Sequence, residues 1–357
     1  MYDSVLITGG AGFVGASLGL ALRRRFPQLQ VVALDNLHRR GSELNLARLR
    51  AEGIQFVHGD IRSPEDLNDL PDRPGLIIEC SAEPSAQAGY GGSPEYLIRT
   101  NLFGCFHCLE LARRCHADFI FLSTSRVYPA QKLNSLAFRE EADRFVLAGD
   151  QPVPGASAHG ISEQFPLDGP RSLYGMTKLA SELMIAEYAD AYGLRHVINR
   201  CGLIAGPGQM GKTDQGVVAL WVAAHYFRQP LSYIGFGGQG KQVRDILHVD
   251  DLCELILDQV VHLDRYDRRV FNVGGGAACS VSLRELTALS QEVTGNEIPM
   301  GSSLQDRPAD VRIYVTDHRR LTEYSGWRPK RDPRTVMADI CHWIRAEESI
   351  LRGIFRM

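Results

Sequence analysis

Tyr174 and Lys178 stand four residues apart in Tyr174-Gly175-Met176-Thr177-Lys178, a spacing that puts a phenol and an ammonium on one face of a helix. A phenol with a pKa near 10 is a poor base at neutral pH. A cation ~4 Å away, at an effective dielectric of ~20, supplies about 4 kcal/mol, equivalent to roughly three pKa units. The pair therefore predicts a tyrosine able to exchange a proton with an alcohol near neutrality, although an isolated Y-x-x-x-K is most often only a surface helix pair. Upstream, the apolar run Phe119-Ile120-Phe121-Leu122 leads into Ser123-Thr124-Ser125. Thr124 then falls at the carboxyl end of a strand, where open α/β sheets bind ligands, and its hydroxyl could share charge developing on a reacting oxygen. A Ser/Thr cluster that merely caps a strand-to-loop turn is the other reading.

Removing a proton from an alcohol is productive when a hydride can leave with it, and the N-terminal segment suits a hydride-accepting dinucleotide. Thr8-Gly9-Gly10-Ala11-Gly12-Phe13-Val14-Gly15 follows a first strand directly and opens a helix. Gly9, Gly12 and Gly15 allow a tight turn and close approach of backbone to a pyrophosphate, with the N–H groups of Phe13 and Val14 at the helix start. A second strand, Val31–Leu34, ends at Asp35-Asn36, about 20 residues on, where a carboxylate can accept hydrogen bonds from the adenosine ribose. This favours NAD over NADP, although Arg39 and Arg40 follow closely and could soften the clash with a 2′-phosphate. A third strand ends in Gly59-Asp60-Ile61. Asp60 and Ile61 could meet the adenine, or Asp60 could simply cap a turn. No metal is expected: the one C-x-x-C pair, Cys105 and Cys108, lies inside a helical pattern, Asn101–Arg114, and reads as buried core.

The elements that must hold these groups alternate strand and helix: Ser4–Thr8, Ala16–Arg25, Val31–Leu34, Glu43–Ala51, Gln55–His58, then strands at Gly75–Glu79, Phe119–Ser123 and His196–Arg200, with a long helix over Ser172–Tyr192. The fold class is α/β, a Rossmann-type doubly wound parallel sheet of at least six strands with a second, smaller substrate-binding lobe. The expected division is 1–203 with 242–276 for the dinucleotide domain and 204–241 with 277–357 for the lobe, which carries a late helical stretch from Val336 to Arg352. The polar, Pro-containing segment Pro129–Arg171 is far longer than an ordinary connection and is expected to fold over something, as a lid or a substrate-side insertion.

Length and composition fit this picture. A chain of 357 residues with 44% apolar and 23% charged residues has ample core, and a formal charge of −3 gives no basic excess for nucleic acid or an anionic membrane. The start of the chain enters the strand Val5-Leu6-Ile7 with no leader-like run. The expected location is cytoplasmic, with no membrane and no nucleic-acid partner.

With Gly9, Gly12, Gly15, Asp35, Thr124, Tyr174 and Lys178 in this order, the chain resembles the extended short-chain dehydrogenase/reductase superfamily over essentially its whole length. Within it, the segments Asp35-Asn36-Leu37, Val57 to Arg62, Asp214-Gln215-Gly216 and Gly238 to Asp245 are most similar to nucleotide-sugar epimerases of the CDP-paratose type. The resemblance implies a tightly held NAD that takes hydride from a sugar carbon and returns it to the opposite face, at C2 for that type and at C4 for galactose-type epimerases. It implies that Arg244 and Arg307 meet the nucleotide diphosphate, that Asp310 meets its ribose and that Gln215 is a substrate-side contact. A surface salt-bridge network, Arg307 with Asp310, is the competing reading of those residues. Relatives often pair through two helices each, so Asn101–Arg114 and Ser172–Tyr192 are the expected faces of a homodimer, unless their apolar stripes are ordinary core.

The chain departs from the pattern at Ser81-Ala82-Glu83-Pro84, which puts an acid near the nicotinamide, and in the length of Gln131–Ala158. A 4,6-dehydratase would resemble enzymes with an Asp-Glu pair after the catalytic threonine, and Ser125-Arg126 stand there instead. A reductase using NADPH would want a basic pocket in place of Asp35. A non-catalytic dinucleotide sensor would have no need of Tyr174, Lys178 and Thr124 together.

Overall fold

A computed structural model describes residues 2–211 and 215–355. Seven strands form one sheet: β1 (Ser4–Thr8), β2 (Gln30–Asp35), β3 (Gln55–His58), β4 (Leu76–Glu79), β5 (Asp118–Thr124), β6 (His196–Cys201) and β7 (Arg269–Val273), in the order β7-β6-β5-β4-β1-β2-β3. Every pairing within it is parallel. Connections run outward in opposite directions from the β1/β4 junction, so the crevice at the carboxyl ends of those strands is where such a sheet takes ligands.

Period-two patterning divides the core between the faces. Val5, Ile7, Ile78 and Ile120 pack under helix α1 (Phe13–Arg25), while Leu6, Ile77, Phe119 and Phe121 pack under α2 (Gly104–Cys115) and α3 (Leu173–Tyr192). Cys105 and Cys108 are fully buried in α2. The expected helix Asn101–Arg114 opens instead with one π turn, Arg99–Phe103, before α2 begins. α3 starts where the hydroxyl of Ser172 accepts the Gly175 N–H at 3.1 Å and ends at Gly193 in the left-handed region.

A second apolar cluster joins α4 (Val217–Phe227), α6 (Leu283–Thr294) and α7 (Pro333–Ala346), while α5 (Val249–Val261) returns to pack on α1. The late stretch Val336–Arg352 is two helices, α7 and Glu348–Ile354, with Glu347 between them out of helical conformation. Small strand pairs link the lobes. Val243–His248 runs parallel to Leu203–Ala205 and Ile313–Tyr314 and antiparallel to Ser280–Ser282.

The segment Pro129–Arg171 has a short helix, Ala130–Asn134, and two small hairpins. It is a packed wall rather than a free lid. Leu133, Leu136, Phe145, Leu147, Ile161 and Phe165 are buried against Val243, Val311, Ile313 and Val315, and the Ile161 N–H donates to the Val315 carbonyl at 2.8 Å.

Candidate active site

Two adjoining cavities open along the carboxyl ends of the strands, one of about 260 Å³ and one of about 730 Å³. They share Phe13, Val14, Cys80, Ala82, Pro84, Gln209 and Gln215. Gly9, Gly12, Gly15, Asp35, Asn36, Asp60 and Ile61 line the smaller; Thr124, Tyr174, Lys178, Arg244, Arg307 and Asp310 line the larger. All the residues singled out in the sequence therefore converge, Gln215, Phe13 and Val14 at the junction.

The smaller cavity fits a dinucleotide. The turn after β1 is so tight that a Cβ on Gly15 would sit 2.2 Å from the Gly9 carbonyl oxygen. α1 starts at Gly12 with no side-chain cap, leaving the N–H groups of its first turn to an anion. Asp35 accepts the Ala11 N–H at 3.1 Å and the Leu37 N–H at 2.8 Å. Burial pushes its carboxyl up, and the backbone N–H groups of Leu37, Ala11 and Gly12 work against that. The two neighbouring guanidinium groups are engaged elsewhere: Arg39 with Gln215 and with the Met210 carbonyl at 2.7 Å, Arg40 with the Gly353 carbonyl at 3.0 Å. Asp60 is occupied too. Arg62 grips it in a fork (2.6 and 3.0 Å), and the Asn36 amide donates to it at 2.9 Å. Despite its burial, hydrogen bonds from Arg62 and Asn36 take its pKa down to about 2. Asp60 thus ties the turn after β3 to Asn36 beyond β2.

In the larger cavity, Thr124 ends β5 and its hydroxyl accepts the Arg126 N–H at 3.1 Å, so it does cap a turn, as the bland reading has it. The same side chain favours the ionised form of the Tyr174 phenol. Tyr174 lies in the first turn of α3, and Lys178 follows one turn later, 2% exposed. The expectation that Lys178 alone brings the phenol near neutrality needs correcting. Burial pushes the phenol above its ordinary range, outweighing Lys178, the Thr124 hydrogen bond and Arg126, all of which lower it. The ammonium is itself paired: Glu79, which ends β4, meets it at 3.2 Å in a pair closed to solvent.

On the other wall Arg244 donates to Asp310 at 2.8 Å and to the Val311 carbonyl at 2.6 Å. Burial takes its pKa down to about 10, Asp310 opposing. Asp310 is thus held by Arg244, a residue 66 positions away, with Arg126 at 3.9 Å. Arg307 lines the same cavity. Asp214 lies outside the described residues. The Glu83 turn is fastened by Asn101, whose amide accepts the Glu83 N–H at 2.8 Å and donates to the Glu83 carbonyl at 3.1 Å and the Thr177 hydroxyl at 3.2 Å.

Sequence reasoning missed Glu79, Asn101 and the placement of Arg126. The available signal for Glu79 was a charged residue closing an otherwise apolar strand, Leu76-Ile77-Ile78. Among the described residues no group of His, Cys, Asp or Glu could hold a metal, and no helix is long and apolar enough to cross a membrane.

Comparison with known proteins places this arrangement. The model of the NAD dependent epimerase/dehydratase family matches residues 5–274. CDP-paratose 2-epimerase of Salmonella typhi is 30% identical over 95% of this chain and 98% of its own. A dTDP-glucose 4,6-dehydratase of Mycolicibacterium smegmatis is 27% identical over 98% and 96%. Among solved structures, the Thermus thermophilus UDP-glucose 4-epimerase complex with NAD superposes with a TM-score of 0.76 at 26% identity, over 95% of this chain and 98% of that one.

Proposed function

The chain belongs to the NAD-dependent epimerase/dehydratase family, whose cofactor is NAD, and we propose that it inverts one carbon of a nucleotide-diphosphate sugar, C2 of a CDP-sugar being the favoured case. The observation that carries this reading is the placing of Thr124, Tyr174 and Lys178 on one cavity that adjoins the dinucleotide groove. The residues after Thr124 offer no acid pair for removing water: Arg126 turns its guanidinium to the Ala309 carbonyl at 3.2 Å. The likeness to CDP-paratose 2-epimerase favours C2, and the solved UDP-glucose 4-epimerase makes C4 the second reading.

Bound NAD supplies reversible hydride uptake. Tyr174 takes the hydroxyl proton of the sugar and returns it, Thr124 holds the reacting oxygen, and Lys178 keeps positive charge beside the phenol. Arg244 and Arg307 are proposed to hold the diphosphate, Asp310 the ribose and Gln215 the sugar side. The lobe made of 204–241 and 277–357 closes the nucleotide end, and 1–203 with 242–276 carries the cofactor. A cavity of about 730 Å³ leaves space for a keto-sugar to turn over. The partner of the chain is proposed to be a second copy, paired through α2 and α3.

The test is incubation with CDP-, UDP- and GDP-sugars, following the ring by NMR. Inversion at one carbon without net NADH is expected, C2 or C4 deciding between the two readings. Stoichiometric NADH, a 4,6-dehydrated sugar or no turnover would move the protein to a reductase, a dehydratase or a dinucleotide sensor.

A further inference from the structure

The chain that leaves the strand Leu203–Ala205 passes along the dinucleotide cavity before it reaches α4, and Gly208, Gln209 and Met210 supply part of that cavity's wall. Gly206-Pro207-Gly208-Gln209 is a Pro-Gly turn. Gly208 stands at a φ of +90°, and the Gln209 N–H donates to the Gly206 carbonyl at 3.3 Å. The Gln209 amide folds back to donate to the Ile204 carbonyl at 2.9 Å, which braces the turn from inside.

The segment is fastened on two sides. From the loop after β2, the half-buried Arg39 donates to the Met210 carbonyl at 2.7 Å and to the Gln215 side-chain oxygen. These acceptors lie 171 and 176 residues away in sequence. Neither carries a charge, so the bonds fix geometry more than they neutralise anything, and a rigid planar fork of donors suits that task. Next to them the Met210 side chain covers Gly41, where an added Cβ would fall 2.6 Å from the Met210 Cγ. On the other side, Gly211 packs on the first turn of α4 so closely that a Cβ there would sit 2.6 Å from the Leu220 nitrogen. α4 is buried in the second core, so this end has a firm anchor.

We propose that residues 206–211 are a strap that keeps NAD in its groove, with Arg39 as the pin, so that the cofactor leaves only when the Arg39 bonds open and the strap lifts. Arg39 is a positioning residue: it acts through the strap. This gives the guanidinium beside Asp35 a use other than meeting a 2′-phosphate. Retention suits an enzyme that takes hydride from its substrate and gives it back, because one cofactor then serves every turnover. The strap itself rests on the dinucleotide groove alone.

The experiment loads the protein with isotope-labelled NAD, chases it with excess unlabelled NAD, and counts the label still bound after gel filtration. Arg39→Met, which keeps the length of the side chain and loses the fork, should speed release by about tenfold or more, the change that losing one hydrogen bond to a charged group implies. Amide hydrogen exchange over 206–211 should rise in the same variant, while that of the turn at 9–15 stays as it is. Met210→Ala, which thins the packing on Gly41, should also speed release. The two changes together should release NAD no faster than Arg39→Met alone, because a strap already lifted has no second pin to lose. An unchanged release rate in Arg39→Met overturns the proposal; if that variant does not fold, Arg39→Lys, which keeps the charge without the fork, is read in its place. Faster release without looser 206–211, or effects that multiply in the double variant, would mean that the side chains touch the cofactor separately, and overturns it too. The chase needs no sugar, so its outcome stands apart from that of the epimerase test.

Discussion

Burial opposes ionisation of the Tyr174 phenol, and three neighbours favour it: Lys178 below it on the same helix, Thr124 at the end of β5, and Arg126 just beyond. Replacing it by Phe removes a single oxygen from a side chain that is otherwise packed, so the fold and the cofactor groove should survive. Turnover should fall by about 10²–10⁴-fold, the usual contribution of a positioned acid or base, while the purified protein still carries NAD, measured by extraction. Retained turnover would mean that another group moves the proton. Tyr174, Lys178 and Thr124 were legible in the sequence because their relations are local: four residues on a helix, one residue at a strand end. The partner of Lys178 was not, because Glu79 lies 99 residues earlier and meets it only once β4 is laid beside β5 and covered by α3. The same holds for Arg244 and Asp310, 66 residues apart.

Among the elements, α3 is the one on which the geometry depends most. Its first turn lies so close to the loop after β5 that a Cβ on Gly175 would fall 2.0 Å from the Arg126 carbonyl oxygen, a backbone atom with little room to yield. Gly175→Ala should therefore push the helix start outward, moving Tyr174 away from Thr124. The expected result is a destabilisation of about 1–3 kcal/mol in thermal unfolding and a loss of turnover larger than that stability change explains. Gly92→Ala, where an added Cβ meets nothing within 4 Å, is the control and should leave both unchanged. The strands and α3 were legible to within a residue or two because apolar runs and helical spacing recur without interruption. The π turn at Arg99–Phe103 was not, because nothing in its local pattern announces it. It carries Asn101, whose bonds to the Glu83 turn and to Thr177 are made across elements. The break at Glu347 was missed for a related reason: the apolar pattern continues through it, and only the backbone shows the change.

At the scale of the molecule, the two lobes meet at the cavity, and the long segment after Pro129 helps wall it. Its length suggested a cover, but its apolar residues are spent on a core shared with Val311–Val315. The faces of α2 and α3 turned away from the sheet remain. Phe103 and Phe106, at and just after the π turn, are 52% and 41% exposed, and Leu183 on α3 is 63% exposed, with Met176 two turns before it at 37%. Single exposed apolar residues need no explanation, but four carried by two neighbouring helices and the turn that opens one of them are the kind of surface that protein partners cover. A second copy presenting the same two helices would meet it with a self-complementary surface about a two-fold axis. Light scattering should then report twice the chain mass. Leu183→Glu would place a charge in that apolar surface on each copy and should halve the mass while leaving the fold and bound NAD intact. Wild type that is monomeric at all accessible concentrations would leave these side chains as plain surface, and a Leu183→Glu protein that stays paired would place the interface on another face.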